Sequence, residues 1–306
     1  MRRHLISMLV ATLVLAGCRA ASPEPGDGLL RVVATTTQVG EAARAVGGDE
    51  IELTVLLPPG VEAHDFEITP PAAAAIERAD VVLQSGAGLE AWLADALATI
   101  GGAERVRDMS TGIQLRAPAG PGEGGGEADP HYWLSAPNAI RLVENVRDAL
   151  SAERPAQADA IAARAAAYVQ RLEQADEEIR ALMAEIPAER RGIVTNHDAL
   201  GYFLEEYGLR FVGSIFPSLD VSAEPDPGQL AQLVETIRAE GVTAIFSESS
   251  VNPQLAQALA DESGARVVDD PLYTDSLGPP GSGADTLDGM LLHDARVIHD
   301  GLAAPH

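Results

Sequence analysis

The amino-acid sequence predicts an α/β fold in which one long rigid helix bridges two similar parallel-sheet domains. Three observations support this prediction. From Leu29 onward, short apolar runs alternate with segments of helical periodicity, a pattern typical of parallel α/β architecture. The alternation occurs once in each half of the chain. Between the halves, a single apolar stripe recurs with the spacing of a long amphipathic helix.

The chain starts with a segment that has the features of an export signal. Arg2 and Arg3 precede an apolar run of about a dozen residues, which is too short to span a bilayer as a helix. The sequence "LAGC", which ends at Cys18, resembles the bacterial lipobox, whose cysteine becomes the lipidated first residue of the mature protein. We therefore expect residues 1–18 to be a lipoprotein signal peptide and Cys18 to carry the lipid. A stray thiol in an ordinary signal peptide is the alternative.

A lipid on Cys18 would hold the protein at a membrane surface, because each buried CH₂ contributes roughly 0.8 kcal/mol. Cys18 is the only cysteine, so no disulfide can form within the chain. Residues 19–28, rich in Pro, Gly and Ala, are predicted to be a tether. No later stretch approaches the 18 consecutive apolar residues of a membrane-spanning helix. We expect an extracytoplasmic lipoprotein, in the periplasm or on the cell surface, that is anchored only at its start.

The predicted N-terminal domain covers residues 29–154. Its strands are indicated by short apolar runs, "LLRVVAT", "IELTVLL" and "DVVLQS", which are rich in β-branched residues. Segments of helical periodicity lie between and after these runs. The strands are predicted at 29–35, 51–57 and 80–85, and the helices at 37–46, 70–79 and 88–100.

A linking helix is predicted over residues 155–187. Its apolar residues recur at spacings of four and three, which places them on one face, and Pro155 suits a first helical turn. At 1.5 Å per residue the helix would be roughly 48 Å long, a strut rather than a hinge. A long helix inside one domain is the alternative. The stripe consists of Ile161, Ala165, Tyr168, Leu172, Ala175, Ile179 and Leu182.

The predicted C-terminal domain, residues 188–306, repeats the pattern of the first. Two pairs of segments look alike: "VVATTTQVGEAARAVGG" beside "GIVTNHDALGYFLEEYGL", and "VVLQSGAGLEAWLADAL" beside "AIFSESSVNPQLAQALA". This likeness favours two domains of one plan. The strands are predicted at 192–195, 209–215, 242–247 and 265–269, and the helices at 198–207, 227–240, 252–263 and 284–301.

The charge of the chain excludes one class of partner. The formal net charge is -25, and removing the signal takes away Arg2 and Arg3 but no acidic residue, which leaves -27. Such an acidic body is repelled by the phosphates of nucleic acid. We therefore expect no nucleic-acid binding.

Four side chains that can bind a metal lie near the ends of predicted elements. His64, His197 and Asp275 each follow a predicted strand, and His131 precedes the helix that begins in "APNAIRLVENVRDAL". Open α/β sheets place their ligands beyond the carboxyl ends of the strands. Two candidates come from each half of the chain, so the sequence predicts that both halves contribute to one site.

The four side chains make a donor set suited to zinc. Taken singly, each histidine has an ordinary reading as a loop residue, and Asp275 as a turn or cap residue. Together, three neutral imidazoles and one carboxylate suit tetrahedral zinc, whereas manganese prefers more oxygen donors. A bidentate Asp275 would make a five-coordinate site that manganese accepts. A ligating histidine also needs an acceptor for its second ring N–H, and Asp65, Asp129 and Asp198 lie close to the three histidines in sequence.

Several segments together resemble a known family, the substrate-binding lipoproteins of ABC transporters that import zinc or manganese, of the zinc-uptake type. The resemblance covers nearly everything after the tether. The segments are specific as a set rather than singly. They are "VVAT" at 32–35, "LLPPGVEAHDFEITP" at 56–70, "ADVVLQSGAGLEAWL" at 79–93, "DPHYWLSAPNA" at 129–139, "VTNHDALGYFLEEYGL" at 194–209 and "DPLYTDS" at 270–276.

The resemblance implies a metal site in the cleft between the domains, with ligand positions at His64, His131, His197 and Asp275. Family members that favour manganese tend to carry Glu where His197 stands, which favours zinc here and leaves manganese as the alternative. The implied partners are an ABC permease and its ATPase. We expect a monomer that captures the metal outside the cytoplasm and is not an enzyme.

The resemblance also bears on "DPHYW", which follows the Gly-rich segment 118–128. It implies that His131 enters the cleft from the N-terminal domain, with Trp133 packed behind it as core. Many zinc-binding members carry a His-rich acidic stretch before this point. Gly and Glu stand here instead, so we expect a plain loop without a zinc-scavenging role.

Other functions have weaker support in the sequence. "GAGLEA" at 86–91 imitates a dinucleotide fingerprint, but its unit is the third of its domain and no clear acidic residue ends a following strand. A secreted zinc hydrolase needs an open coordination position and a nearby base, for which Glu62 or Asp270 is available. Four protein ligands would close that position. A surface adhesin that uses metal only for stability is a second alternative.

Overall fold

The computed structural model describes residues 28–61, 63–64, 66–118, 128–216 and 227–303. The predicted signal peptide with Cys18, nearly all of the tether, Glu62, Asp65 and most of the Gly-rich segment lie outside the described residues. Across the described part, no helix has both the length and the apolar character needed to cross a bilayer.

The first half contains a sheet of four parallel strands in the order β2-β1-β3-β4. The central strands are apolar and buried because helices cover both faces of the sheet. Thr36 and Thr69 begin the first two helices, since each side chain accepts a hydrogen bond from a backbone N–H of the first turn. The strands are β1 Leu30–Ala34, β2 Ile51–Val55, β3 Val81–Gln84 and β4 Val106–Asp108, and the helices are α1 Thr37–Gly47, α2 Pro70–Arg78, α3 Ala91–Ile100 and α4 Ala136–Glu153.

The second half repeats this arrangement with shorter strands. β5 pairs with β6 and β7 pairs with β8, all parallel. The N–H of Phe246 donates to the carbonyl of Val194 over 2.9 Å, which sets β7 beside β5. The strands are β5 Gly192–Thr195, β6 Arg210–Ser214, β7 Ala244–Ile245 and β8 Arg266–Val267, and the helices are α6 Gly201–Tyr207, α7 Pro227–Glu240, α8 Gln254–Ser263 and α9 Leu287–Ala303.

The two halves therefore share one plan. The spatial order β6-β5-β7-β8 of the second half corresponds strand for strand to the order β2-β1-β3-β4 of the first. The α/β class with two similar parallel sheets is confirmed. The predicted strands at 242–247 and 265–269 shorten to two residues each, and the ladder resumes after β7 as a single bridge between Glu248 and Leu272.

The long helix between the halves, α5, runs over Ala158–Glu185. Pro155–Gln157 forms a separate 3₁₀ turn ahead of it, so the helix begins three residues later than predicted. Its 28 residues correspond to about 42 Å. The predicted apolar stripe is buried except at its last position, where Met183 is buried and Leu182 lies at the edge of the core.

Helix α5 is packed into the body of the protein. It contacts α1 and α4 of the first half and α9 of the second, and α9 in turn contacts α1 and α4. One continuous apolar cluster consequently extends through both halves. This packing agrees with a strut that fixes the spacing of the two sheets.

Candidate metal centre

The four predicted ligand side chains meet at one place between the two halves. The Nε2 atom of His131 lies 3.4 Å from Nε2 of His64 and 3.2 Å from Oδ1 of Asp275. The same Asp275 oxygen lies 3.6 Å from Nε2 of His197. His131, His197 and Asp275 are buried, and His64 is partly exposed. The group therefore faces solvent on the His64 side.

Three of the distances between these atoms are close to those expected around one tetrahedral ion. Bonds of about 2.0–2.1 Å to zinc separate neighbouring donor atoms by roughly 3.3 Å. The three distances given above, 3.2, 3.4 and 3.6 Å, lie on either side of that value. Nε2 of His197 is buried without a hydrogen-bond partner, which is costly unless a cation supplies the missing interaction. The donor atoms form two groups, each with all its atoms within 4.8 Å of one another: His64, His131 and Asp275 in one, and His197, Glu248 and Asp275 in the other. Asp275 belongs to both groups and so joins them.

The first-half ligands are held by their own neighbours in space. The carbonyl of Ala63, just before His64, accepts a hydrogen bond of 3.1 Å from the indole of Trp92. The ring of Phe66 packs edge-on against the same indole, with centroids 4.9 Å apart. Trp92 therefore fixes the loop that presents His64.

Asp129 orients His131, as its place in the sequence suggested. Its Oδ1 atom accepts hydrogen bonds from the backbone N–H of His131 over 3.0 Å and from Nδ1 over 2.9 Å. Arg116 donates to the other oxygen of Asp129 over 2.9 Å. Although burial lowers the pKa of His131, the hydrogen bonds to Asp129 and Asp275 raise it to about 9. The carboxylates of Asp129 and Asp275 thus stabilise the imidazolium form of His131.

The carboxylate beside His197 is Glu248 rather than Asp198. Oε2 of Glu248 lies 2.7 Å from Nδ1 of His197. The expectation that Asp198 fills this place is wrong, because β7 brings Glu248 to the ring from a distant part of the chain. Burial lowers the pKa of His197, but the charges of Glu248 and Asp275 outweigh it and raise the pKa well above its usual value.

Asp275 is held as a carboxylate. Its Oδ2 atom accepts a hydrogen bond from Ser250 over 2.9 Å, which leaves Oδ1 directed at the histidines. Burial raises the pKa of Asp275, but the two imidazoles outweigh it and hold the pKa well below its usual range. The carboxylate is therefore ready to bind a cation.

The loop that carries Asp275 is bound to the first half of the chain. The carbonyl of Thr274 accepts a hydrogen bond of 2.8 Å from the indole N–H of Trp133. The backbone N–H of Leu277 donates to the hydroxyl of Thr37 over 2.9 Å, and Ser276 accepts from the backbone of Gly60 over 2.8 Å. Trp133 is buried behind His131 as predicted, and it also links the halves.

The dinucleotide-like segment 86–91 has a different use in the structure. The carboxylate of Glu90 accepts hydrogen bonds from the backbone N–H groups of Ser85 and Gly86, over 2.7 and 3.0 Å, and from Thr35 over 2.6 Å. These are the N–H groups that a phosphate would need at a strand-to-helix turn. The Glu90 carboxylate, which belongs to the segment itself, therefore occupies the position in which a phosphate would accept these hydrogen bonds.

The geometry offers little support for a hydrolase. Asp270, the proposed base, is exposed and lines a separate surface cavity with His293 and Arg296. None of the four converging residues lines that cavity. Glu62 lies outside the described residues.

Comparison with known proteins places this geometry in context. Residues 32–301 match the family described as ZnuA, the periplasmic component A of the zinc-uptake complex. The manganese-binding lipoprotein MntA of Halalkalibacterium halodurans is 32% identical over 97% of both chains. The zinc-binding lipoprotein AdcA of Streptococcus pneumoniae is 32% identical over 90% of this chain and 55% of its own length. The periplasmic zinc-binding protein TroA of Treponema pallidum superposes with a TM-score of 0.83 at 28% identity, over 90% of this chain and all of that one.

Proposed function

Because this chain belongs to the family of the periplasmic zinc-uptake component A, we propose that it captures a divalent transition metal outside the cytoplasm and delivers it to an ABC permease for import. In this family the metal is cargo, so the protein must both bind it and release it. The permease works with an ATPase that drives the import step. The relatives are named as binding proteins, in agreement with the expectation that this chain is not an enzyme.

One observation carries the proposed site: Oδ1 of Asp275 lies 3.2 Å from Nε2 of His131 and 3.6 Å from Nε2 of His197, and the same nitrogen of His131 lies 3.4 Å from Nε2 of His64. Four protein ligands leave no coordination position for an attacking water, which argues against the hydrolase. Binding requires the histidines to lose their protons while Asp275 is already ionised.

We propose zinc as the preferred cargo. Three imidazole nitrogens and one carboxylate oxygen suit zinc better than manganese, which prefers oxygen-rich shells and more ligands. Manganese remains the second candidate for a specific reason: a relative that matches over 97% of both chains at 32% identity is named for manganese. Bidentate binding by Asp275 would supply the fifth donor that manganese needs.

The remaining features of the proposal concern the whole chain. We propose that Cys18 carries the lipid that anchors the mature protein to a membrane and that the protein acts as a monomer. The proposed organisation is a signal at 1–18, a tether at 19–28, domains at 29–154 and 188–306, and the linking helix at 155–187. The curated relatives that are named lipoproteins support the anchor.

The proposal is tested by metal analysis of the purified mature protein, followed by zinc and manganese titrations of the native chain and of Asp275→Asn. The substitution removes the charge of one proposed ligand, so zinc affinity should fall at least tenfold. Asp270→Asn is the matched control, since Asp270 is an exposed carboxylate only five residues away. Equal losses in both variants, or none in Asp275→Asn, would reject the site. Cells lacking the protein should take up less metal, whereas an adhesin would leave uptake unchanged.

A further inference from the structure

A buried carboxylate outside the four proposed ligands occupies a central place in the second half. Glu248 follows β7 and is only 2% exposed. Its Oε1 atom accepts a hydrogen bond of 3.0 Å from the backbone N–H of His197. Its Oε2 atom accepts from the hydroxyl of Thr274 over 2.7 Å and lies 2.7 Å from Nδ1 of His197. Both oxygens of Glu248 are therefore engaged.

The backbone of Glu248 is fixed as firmly as its side chain. Its N–H donates to the side-chain oxygen of Asn196 over 2.8 Å, so Asn196 and His197, which follow β5, both form hydrogen bonds with Glu248. Thr274, on the loop that carries Asp275, donates a further hydrogen bond to Glu248. A carboxylate held at three points cannot move away from the imidazole without breaking hydrogen bonds in a buried region.

Glu248 lies on the side of His197 away from the proposed ion. Nε2 of His197 lies 3.6 Å from Oδ1 of Asp275, the oxygen that also lies 3.2 Å from Nε2 of His131. Glu248 approaches Nδ1 instead. His197, Glu248 and Asp275 are close enough for three of their atoms to hold an ion of their own. That alternative would require Glu248 to give up hydrogen bonds from His197 or Thr274.

We propose that Glu248 is a positioning residue for metal binding: it accepts the Nδ1 proton of His197 and so directs the Nε2 lone pair at the metal. This inference rests on the proposed function. A carboxylate can only accept at this place, so it keeps the proton on Nδ1. Nδ1 of His197 lies 2.7 Å from Oε2 of Glu248, within reach of this hydrogen bond.

The variant Glu248→Gln tests this inference by titration with zinc. The amide of Gln can turn its NH₂ group toward Nδ1 of His197. The ring proton then moves to Nε2, whose lone pair is no longer available to the metal. Loss of such a partner typically weakens metal affinity about 10–100-fold, and we expect a loss in that range. Glu90→Gln is the matched control, because Glu90 is also a buried carboxylate that accepts hydrogen bonds from the backbone, but it lies beside the first sheet. Glu90→Gln should stay within about twofold of native affinity, and equal losses in the two variants would overturn the proposal.

A double-mutant cycle with His197→Ala separates positioning from a general structural role. If Glu248 acts through the ring of His197, Glu248→Gln should lower zinc affinity by less than about threefold in a chain that already carries His197→Ala. A structural role, or direct binding of the metal by Glu248, predicts the full loss in both backgrounds and would overturn the proposal. Should Glu248→Gln fail to fold, Thr274→Val, which removes one of the groups that hold Glu248, should lower affinity about tenfold. Native affinity in Thr274→Val would then be the contradicting result.

The same titrations distinguish failure of this inference from failure of the proposed function. Native affinity in His197→Ala would reject the metal site itself. A large loss in His197→Ala together with native affinity in Glu248→Gln would reject only the role of Glu248.

Discussion

Two histidines of the centre, His131 and His197, favour their protonated forms in the metal-free chain. Their pKa values are raised by the carboxylates around them, to about 9 for His131. The ion and the protons therefore compete for the same nitrogen atoms. Zinc affinity should continue to rise above pH 7, beyond the range of an ordinary imidazole.

Proton release measures this competition. At pH 7, zinc binding should release protons from these histidines, because the surrounding carboxylates raise the pKa of both rings, that of His131 to about 9. Calorimetry in buffers of different ionisation enthalpy gives the number directly. Between pH 7 and 9 the apparent affinity should rise and the number of protons released should fall. Zinc binding without proton release at pH 7 would contradict the assigned ionisation states.

His197→Glu tests what sets the choice of metal. The substitution exchanges a nitrogen donor for an oxygen donor, which manganese prefers more than zinc does. Zinc affinity should fall about tenfold or more and the zinc-to-manganese ratio of affinities should shrink, as competition titrations of the variant and the native chain will measure. An unchanged ratio would mean that this position does not determine selectivity.

Reasoning from strand ends found His64, His197 and Asp275 because parallel strands deliver the loops at their carboxyl ends to one edge. Glu248 obeys the same rule, since it comes directly after the predicted strand at 242–247, and it could have been found by it. Proximity in sequence correctly identified Asp129 as the hydrogen-bond partner of His131. It did not identify the partner of His197, which is Glu248 and not Asp198. The partner of His197 is 51 residues away in the chain, so only the sheet order reveals it.

At the scale of elements, strongly periodic segments were predictable and short polar ones were not. The stripe of α5 is evident because seven positions repeat along one face. β4 was not predicted: its three residues, Val106–Asp108, include Arg107 and Asp108, and its strand character comes only from pairing with β3. The indole bond from Trp133 to Thr274 likewise depends on how two distant elements meet.

One buried contact joins three helices and has its own pH dependence. The hydroxyl of Tyr168 on α5 donates to Glu41 on α1 and accepts from the backbone N–H of Leu287 at the start of α9. Burial raises the pKa of Glu41 to about 7, although the hydrogen bond from Tyr168 lowers it. Because the folded pKa lies above the unfolded value, Glu41 contributes stability at low pH that is lost as the pH rises through about 7.

Glu41→Gln should remove this dependence. The neutral amide still accepts from Tyr168 but cannot ionise, so the variant should gain up to about 3 kcal/mol relative to the native chain between pH 4.5 and pH 8.5. Urea unfolding of both metal-free proteins at the two pH values gives the difference. A constant difference in the free energy of unfolding would show that Glu41 does not titrate in this range.

At the scale of the whole molecule, α5 and α9 form one apolar cluster with both sheets, which opposes a wide hinge motion. We therefore expect metal to cause small shifts of the loops around His197 and Asp275 rather than a large closure. Scattering curves of the zinc-free and zinc-loaded protein should nearly superimpose, with radii of gyration equal within error. A clear contraction on zinc binding would contradict the strut.

The central claim is that both halves of the chain bind one ion together. Anomalous diffraction at the zinc edge from crystals of the zinc-loaded protein tests it most directly. We expect a single strong peak about 2.0–2.2 Å from Nε2 of His64, Nε2 of His131, Nε2 of His197 and Oδ1 of Asp275. A peak bound by residues of one half alone, or located away from these four side chains, would contradict it.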